Sequence, residues 1–214
     1  MSFKLINQSA WHRKQYFTHY TETVPCTYSM TIDLDITGFL QTLKRRNFKF
    51  YPAIIHAIAR TVNQYEEFRM AFDPEDNLGV FELMHPAYTI FHQDDETFSS
   101  IWTEYHESLV VFYQSYLKDI AQFSTNKDLF AKPHLPENAF HISSIPWLSF
   151  LGFNLNLPQS GDYLLPIFTL GKYHEQNAKT LLPISIQVHH AVCDGFHLSR
   201  FVQSLQTFIN DPLP

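Results

Sequence analysis

Alternation of apolar and polar residues predicts several strands along the chain. Residues 28–36 (YSMTIDLDI) alternate between the two kinds, as is typical of a strand with one buried face. Residues 182–190 (LPISIQVHH) form the clearest strand in the second half of the chain. The pattern predicts further strands over residues 79–83, 88–92, 140–144, 150–157 and 164–173. We therefore expect a sheet of several strands.

Apolar residues repeated every three or four positions predict the helices. A short helix is expected over residues 39–46, and a longer one begins at Pro52 and extends over residues 53–68, because proline fits the first helical turn. The same spacing predicts a long helix that ends at Phe123 and is capped by Thr97 or Ser99, and a final helix over residues 196–209.

Helices and strands are interspersed without a regular strand–helix–strand repeat. This arrangement predicts one domain over residues 1–214 of the α/β (α+β) class, a two-layer sandwich in which helices cover a mixed β-sheet.

Composition indicates an ordinary globular protein. The 214 residues are 45% hydrophobic and 17% charged, which is too apolar for disorder and sufficient for a sizeable core. The net charge of −6, with no basic cluster beyond residues 44–46, argues against a nucleic-acid partner. The sequence shows no signal peptide and no run long enough to span a membrane, so we expect a cytoplasmic protein without membrane contact.

The chemistry is concentrated in residues 187–197 (QVHHAVCDGFH), where the last strand ends and the last helix begins. Imidazole titrates near neutral pH, so a histidine can take a proton from an alcohol and return it to a leaving group. A strand end holds such a base rigidly. Asp194 either orients the base or holds the turn by accepting hydrogen bonds from backbone amides or an arginine.

Other kinds of site are alternatives for this segment. His189, His190, Asp194 and His197 are possible metal ligands, but adjacent side chains of a strand point to opposite faces, which disfavours one shared ion. A covalent nucleophile is the second alternative. The motif Gly-x-Ser-x-Gly is absent, and Cys193 is more typical of a small apolar filler than of an acyl carrier. Structural histidines with a helix-capping aspartate are the third.

The run QVHHAVCDGFH resembles the signature of the chloramphenicol acetyltransferases, a trimeric family within the CoA-dependent acyltransferases. Its inner His-x-x-x-Asp-Gly is shared with the acyltransferase cores of dehydrogenase complexes and with peptide-synthetase condensation domains. The flanking Gln-x-His-His and Gly-Phe-His are more specific and favour the chloramphenicol acetyltransferases over those two groups. Further matching motifs cover most of the chain: WHRK at 11–14, PCTY at 25–28, FKFYP at 48–52, EFRM at 67–70, FHQ at 91–93, ETF at 96–98, PW at 146–147 and GKY at 171–173.

The resemblance implies O-acetylation of chloramphenicol by acetyl-CoA, an activity that confers antibiotic resistance. His190 would deprotonate the primary hydroxyl, and the alkoxide would attack the thioester directly in a ternary complex, without an acyl-enzyme. Ser143 would donate a hydrogen bond to the oxyanion, and Thr169 would hold a water nearby. Asp194 would pair with Arg13 and fix the loop around His190.

The resemblance also implies binding sites and an assembly. Acetyl-CoA would be a co-substrate, with no metal, and the enzyme would be a homotrimer in which His190 of one chain faces pocket residues of its neighbour. The residues implied for the acceptor pocket are Tyr20, Cys26, Phe98 and Leu155, and those implied near CoA are Trp147, Phe153 and Tyr173.

Two stretches depart from the family's usual pattern, at 157–161 (LPQSG) and 164–166 (LLP), and they bear on substrate preference. The alternatives within the fold are an O-acyltransferase for another small hydroxyl acceptor and a non-catalytic ligand-binding module. A dehydrogenase-complex core would need lipoyl and subunit-binding segments with flexible linkers, which the sequence does not show. A metal-dependent hydrolase would be sensitive to chelators.

Overall fold

A computed structural model of the protein describes residues 2–156 and 163–211. The strands in chain order are β1 (Phe3–Leu5), β2 (Thr27–Asp35), β3 (Met70–Phe72), β4 (Leu78–Phe81), β5 (His85–His92), β6 (Thr97–Trp102), β7 (Ala139–Ile145), β8 (Ile167–Gly171), β9 (His174–Gln176) and β10 (Lys179–His189). The helices are α1 (Lys14–Thr18), α2 (Thr37–Arg46), α3 (Phe50–Val62), α4 (Leu109–Phe123) and α5 (Gly195–Asn210). A π-helical turn, His19–Thr23, follows α1, and a 3₁₀ turn, Glu66–Phe68, precedes β3.

The main sheet is mixed, as predicted. Its strand order is β2-β10-β8-β7-β5-β6, and β9 pairs with the first residues of β10. Strand β7 is parallel to both β5 and β8, whereas the other pairs are antiparallel. Strands β1, β4 and β3 form a separate small antiparallel sheet. Within the described residues, no helix is both long and apolar enough to cross a bilayer.

The two faces of the main sheet have different surroundings. Ile184, Ile186 and Val188 of β10 belong to the buried core, which α3 and α5 also enter; Phe168 of β8, for example, stacks on Phe201 of α5 at 5.5 Å. The alternate side chains point away from this helix layer. We call that side the second face; its central residues are Ser143, Thr169, Ser185 and Gln187. The two-layer prediction is therefore confirmed.

The strand predictions are confirmed for 28–36 and 182–190, which correspond to β2 and β10. The predicted strand over 150–157 is wrong where the structure describes it, because residues 150–156 form no strand, and residue 157 lies outside the described residues. This stretch lies over the second face instead of at a sheet edge. Side chains of β10, those of Ser185 and Gln187, bind its backbone in place of a neighbouring strand.

The helix predicted from Thr97 or Ser99 to Phe123 is wrong in its first part. Thr97–Trp102 is β6, which forms a hairpin with β5, and α4 begins only at Leu109. The hairpin turn is held by the Asp95 carboxylate, which accepts hydrogen bonds from the backbone N–H and the hydroxyl of Thr97. The apolar spacing therefore corresponds to a helix only from Leu109 onward.

The helix predicted over 53–68 is displaced and shorter. Helix α3 begins at Phe50, so Pro52 is its third residue; proline is tolerated there because the first four backbone N–H groups have no partner within the helix. The helix ends at Val62, and the side chain of Asn63 caps this end by hydrogen bonding to backbone groups inside and outside the helix. Its amide donates to the carbonyls of Ala59 and Met84 and accepts the Met84 N–H.

His56 makes the stability of the fold depend on pH. It lies buried in α3, 4% exposed, where Nε2–H donates to the carbonyls of His106 and Glu107 just before α4. Burial lowers its pKa from 6.5 to about 4, so the unfolded chain binds a proton more readily between these values. The free energy of unfolding should therefore fall toward acid, by up to about 1.4 kcal/mol per pH unit from this group.

We expect His56→Gln, whose amide keeps a donor near the two carbonyls, to flatten this dependence. Urea unfolding at several values between pH 7 and pH 4 measures it, with the exposed His12→Gln as the matched control. An equal slope in His56→Gln and in the wild-type protein would contradict the assignment.

Candidate active site

His190 lies at the point where β10 turns toward α5. Its backbone N–H donates to the carbonyl of Cys26 at 3.0 Å, and its ring stacks on Tyr20 with centroids 4.0 Å apart and planes 6° apart. Tyr28 contacts the other side of the imidazole edge-on at 5.3 Å. The Nδ1 atom is buried, so Nε2 is the nitrogen that a substrate can reach. This setting holds a base in one orientation.

The turn after His190 is fixed by short-range hydrogen bonds. The carbonyl of His189 accepts the N–H groups of Val192 and Cys193, and its ring Nδ1 accepts the N–H of Ala191 at 3.1 Å. Helix α5 then begins at Gly195 and is capped by Asp194: the Asp194 side chain binds the backbone of His197, and His197 Nδ1 accepts the Asp194 N–H at 3.2 Å. The strand end and the helix start therefore form one rigid corner.

An ion pair ties this corner to the N-terminal part of the chain. Arg13 Nη1 lies 2.8 Å from Asp194 Oδ2, as the sequence led us to expect. Burial alone would raise the pKa of Asp194, but the hydrogen bond from Arg13 and the nearby positive charges lower it overall. Among the described residues, Asp194 makes no hydrogen bond to His190. The structure therefore supports the turn-holding role of Asp194 over the base-orienting one.

The same ion pair continues into a larger charged cluster. Glu67, in the 3₁₀ turn before β3, lies 3.4 Å from His197 Nε2 and accepts two contacts from Arg200 Nη2 at 3.0 and 3.1 Å. Burial lowers the pKa of His197 although both acidic neighbours act in the opposite direction. The corner is therefore braced from two sides, by Arg13 and by Glu67.

The nucleophile and metal alternatives find no support in this geometry. Cys193 is fully buried, and burial together with Glu67 and Asp194 raises the pKa of its thiol to about 12. A thiol of that pKa does not form the thiolate that acyl transfer requires. Within residues 2–156 and 163–211, no three His, Cys, Asp or Glu side chains converge as a metal site would require.

Ser143 and Thr169 occupy neighbouring strands on the second face. They are paired in the parallel register of β7 and β8, and their hydroxyl oxygens share a hydrogen bond of 3.0 Å. Ser143 is partly accessible, whereas Thr169 is buried. A hydroxyl held in this way can donate to an oxyanion while its neighbour orients it.

The chain does not bring His190 and Ser143 together. Thr169 pairs with Ser185 on β10, and His190 lies five residues further along, which is about 16 Å at the rise of a strand. His190 also contacts Tyr28, whose partner on β10, Val188, faces the helix layer. The base and the candidate oxyanion donor therefore lie far apart and on opposite faces of the sheet.

The four predicted pocket residues divide in the same way. Tyr20 and Cys26 lie beside His190, one through its ring and the other through its carbonyl. Leu155 lies over the second face, where its backbone is bound by Gln187, the neighbour of Ser185 on that face. Phe98 of β6 is exposed and pairs with Phe91. The predicted site residues of one chain therefore fall into two separate groups, which we call the His190 and the Ser143 half-sites.

A cleft of about 540 Å³ adjoins the Ser143 half-site. Trp147 and Tyr173 line this cleft, as does Ser144, whose side chain points to the helix-covered face, opposite to that of Ser143. Phe153 does not belong to the described lining residues; it packs on Phe150 instead. The remaining lining residues come mainly from α3, α4, β5 and β8: Phe50, Tyr51, Thr89, Ile90, Phe91, Tyr116, Ile120, Pro146, Leu170, Gly171 and Lys172.

The two departures from the family pattern fall in different places. Residues 157–161 lie outside the described residues. Leu164, Leu165 and Pro166 are buried, and both leucines belong to the hydrophobic core cluster. Residues 164–166 therefore affect the structure through packing in the core.

Comparison with known proteins identifies the family. The family model for chloramphenicol acetyltransferase matches residues 1–206. The chain belongs to the chloramphenicol acetyltransferase family.

Relatives and solved structures give the extent of the likeness. A chloramphenicol acetyltransferase of Vibrio anguillarum is 54% identical over 209 residues, covering 98% of this chain and 95% of that protein. One of Clostridium butyricum is 52% identical over 206 residues, covering 96% and 94%. A solved chloramphenicol acetyltransferase matches with a TM-score of 0.86 at 22% identity, covering 97% of this chain and all of that one.

The likeness extends to a second kind of protein at the level of fold. A dihydrolipoamide acetyltransferase of Azotobacter vinelandii matches with a TM-score of 0.66 at 14% identity, over 92% of this chain and 87% of that one. This chain thus shares its fold with a dihydrolipoamide acetyltransferase.

Sequence reasoning missed three contributors to the site. Tyr28 packs against His190, Glu67 braces His197, and Gln187 binds the backbone of Leu155. Tyr28, Glu67 and Gln187 all belong to motifs that matched the family, but spacing along the chain does not reveal which side chains those motifs contact. Only the tertiary structure brings these partners together.

The Arg13–Asp194 pair should contribute measurably to stability. Breaking a buried ion pair costs about 3–5 kcal/mol, and because the Asp194 side chain is 35% exposed we expect Asp194→Asn to lower the free energy of unfolding by about 1–3 kcal/mol at pH 7. Since pairing lowers the folded-state pKa of Asp194, this stabilisation is present above the unfolded pKa of about 3.9 and is lost as the pH falls.

Urea unfolding at pH 7 measures this cost, and a second series at about pH 3, below the unfolded pKa, measures its loss. The matched control is Asp94→Asn, which removes a fully exposed partner of Lys127 and should leave stability unchanged within error. A cost for Asp194→Asn no larger than that of the control would contradict the bracing role.

Proposed function

We propose that the protein transfers the acetyl group of acetyl-CoA to the primary hydroxyl of chloramphenicol, with His190 as general base. The observation that carries the proposal is the fixed placement of His190, stacked on Tyr20 with Nδ1 buried and Nε2 available, at a corner braced by Arg13 and Asp194. Relatives that are 52–54% identical over nearly the whole chain carry the name of this activity.

The reaction needs one proton carrier and one oxyanion donor. His190 Nε2 removes the proton of the hydroxyl, and the alkoxide oxygen forms a bond to the thioester carbonyl carbon. The tetrahedral oxyanion accepts a hydrogen bond from Ser143, whose hydroxyl is oriented by Thr169. Collapse breaks the C–S bond, and the CoA thiolate takes the proton from the imidazolium of His190. No acyl-enzyme forms.

The cleft beside Ser143 suits the acyl donor. Its walls are mainly aromatic and aliphatic, with Trp147 and Tyr173 exposed at its rim, so a pantetheine chain and an adenine ring find apolar contacts. Lys172 supplies a positive charge for phosphate groups. The thioester carbonyl would extend past the end of β7 to reach the Ser143 hydroxyl, because Ser144 on the cleft wall points to the other face of the sheet. In this arrangement Phe153 acts through its packing on Phe150.

A homotrimer accounts for the separation of the half-sites. His190 with Tyr20 and Cys26 would face Ser143, Leu155 and Phe98 of the next chain, so that each interface completes one acceptor pocket. Exposed apolar side chains beside the second face support burial against another copy. They include Trp147, Leu148 and Leu151, the last of which is 97% exposed.

A second acceptor within the same chemistry is the main alternative. Another small alcohol would use the same base and the same oxyanion donor, and only the pocket walls would differ. A binding module that has lost turnover would show binding of chloramphenicol without thiol release. Chloramphenicol-dependent turnover decides among these.

Release of CoA thiol from acetyl-CoA, measured with and without chloramphenicol, tests the proposal. We expect turnover in the wild-type chain and a loss of several orders of magnitude in His190→Ala, because no other group accepts the proton. Ser143→Ala should lower kcat by about 10²–10³, the usual cost of one oxyanion donor.

His134→Ala, an exposed histidine in the loop before β7, is the matched control and should retain wild-type turnover. Absence of wild-type turnover would exclude chloramphenicol as the acceptor, and full activity in His190→Ala would exclude the mechanism.

Mixed oligomers test the division of the site between chains. We expect His190→Ala and Ser143→Ala to be nearly inactive alone, and equal amounts refolded together to recover about a quarter of wild-type activity. The reason is that a quarter of randomly formed interfaces then combine an intact His190 with an intact Ser143. Thiol release after co-refolding, with each variant refolded alone as the control, measures this. No recovery would place both residues in one chain's site.

A further inference from the structure

Gln187 begins the motif-bearing segment at the end of β10, and neither the mechanism nor the fold assignment gives it a role. It lies between Ile186 and Val188, which enter the core, so its side chain points to the second face. It is 5% exposed, and its backbone pairs with Ser29 of β2 and Ile167 of β8. A buried amide must have partners for both of its polar groups.

Both groups of this amide bind the same residue. Gln187 Oε1 accepts the backbone N–H of Leu155 at 2.7 Å, and Gln187 Nε2 donates to the backbone carbonyl of Leu155 at 3.0 Å. This is the pair of bonds that one residue exchanges with the residue opposite it in an antiparallel ladder. The side chain of Gln187 therefore supplies to Leu155 the two hydrogen bonds that the backbone of a neighbouring strand would otherwise supply.

Neighbouring contacts hold the same stretch along β10. The Ser185 hydroxyl donates to the carbonyl of Phe153 at 2.5 Å, so residues two apart on β10 bind residues two apart in the segment 153–155. Asn154 and Asn156 hydrogen bond to each other through their side chains, as neighbours on one side of an extended segment do. Leu155 consequently projects to the other side, where its side chain is 41% exposed.

We infer that Gln187 is a positioning residue that sets the affinity for the acceptor by fixing Leu155 as a wall of the acceptor pocket. The inference rests on the proposed function, in which Leu155 belongs to that pocket. The amide leaves the backbone of Leu155 no freedom to slide or rotate, so the isobutyl group stands at one place beside the row of Ser143, Thr169 and Ser185. A wall fixed in this way holds a ring of fixed size.

Steady-state kinetics with chloramphenicol and acetyl-CoA test the inference. Gln187→Ala should raise KM for chloramphenicol about tenfold, because small displacements of a positioning group have large effects. It should leave KM for acetyl-CoA and kcat within about threefold of wild type, since both of these bonds of the Gln187 amide go to Leu155 and neither goes to Ser143 or His190. Gln187→Glu should behave like the alanine variant, because a carboxylate cannot donate to the carbonyl of Leu155.

A double-mutant cycle separates this role from a general effect on the fold. If Gln187 acts through Leu155, the KM change in Gln187→Ala should nearly vanish in a Leu155→Ala background, whereas independent sites give additive changes. Ser29→Ala is the matched control, because it removes another hydrogen bond to Gln187 Oε1, of 3.3 Å, while both bonds between Gln187 and Leu155 remain. We expect it to leave KM within twofold of wild type.

Hydrogen exchange of the Leu155 amide supplies a readout that does not depend on turnover. The amide should be protected in the wild-type chain and exchange faster in Gln187→Ala. Turnover in the wild type with an unchanged KM for chloramphenicol in Gln187→Ala, or additive effects in the cycle, would overturn the inference alone. Absence of wild-type turnover would overturn the proposed function and the inference with it, even where the Leu155 amide remains protected.

Discussion

In β10, Ile184, Ile186 and Val188 enter the helix-covered core, and this obliges Ser185, Gln187 and His189 to point to the other side of the sheet. The core therefore dictates which polar groups are available on the second face. Thr169 joins them through the register of β8 with β10, and Ser143 joins through the register of β7 with β8. The strand whose apolar side chains enter the core therefore also determines which polar side chains lie on the second face.

The corner after β10 is held by charge as much as by backbone hydrogen bonds. Asp194 caps α5 and pairs with Arg13, which comes from the first turn-rich stretch of the chain, while Glu67 reaches His197 from beyond α3. Three segments distant in sequence therefore determine where His190 stands. Because the aromatic rings of Tyr20 and Tyr28 enclose the imidazole, its orientation also depends on apolar packing.

The second face of a single chain is only partly covered. Its polar row is partly covered by residues 150–156, which are bound by side chains instead of by a strand. The aromatic cleft opens beside it, and apolar side chains of residues 147–151 remain exposed. A surface of this kind gains stability when another apolar surface covers it. Stability and catalysis would thus share one interface in the proposed assembly.

Much of the architecture follows from local sequence. The alternation over 28–36 and 182–190 identified β2 and β10, and the helical period identified α5, because burial of one face imposes these periods on the residues themselves. The motif at 187–197 likewise located the strand end, the turn and the capping aspartate. Arg13 as the partner of Asp194 came from the family resemblance and not from spacing, since the two residues are separated by most of the chain.

The tertiary structure alone decided what depends on contacts between distant segments. Thr97–Trp102 forms a strand because it pairs with β5. Residues 150–156 form none, and the side chains of Ser185 and Gln187 bind their backbone instead. The separation of His190 from Ser143 depends on strand order and register, which no local period encodes. Sequence therefore determined the chemical groups and the fold class, and the pairing of strands determined where each group acts.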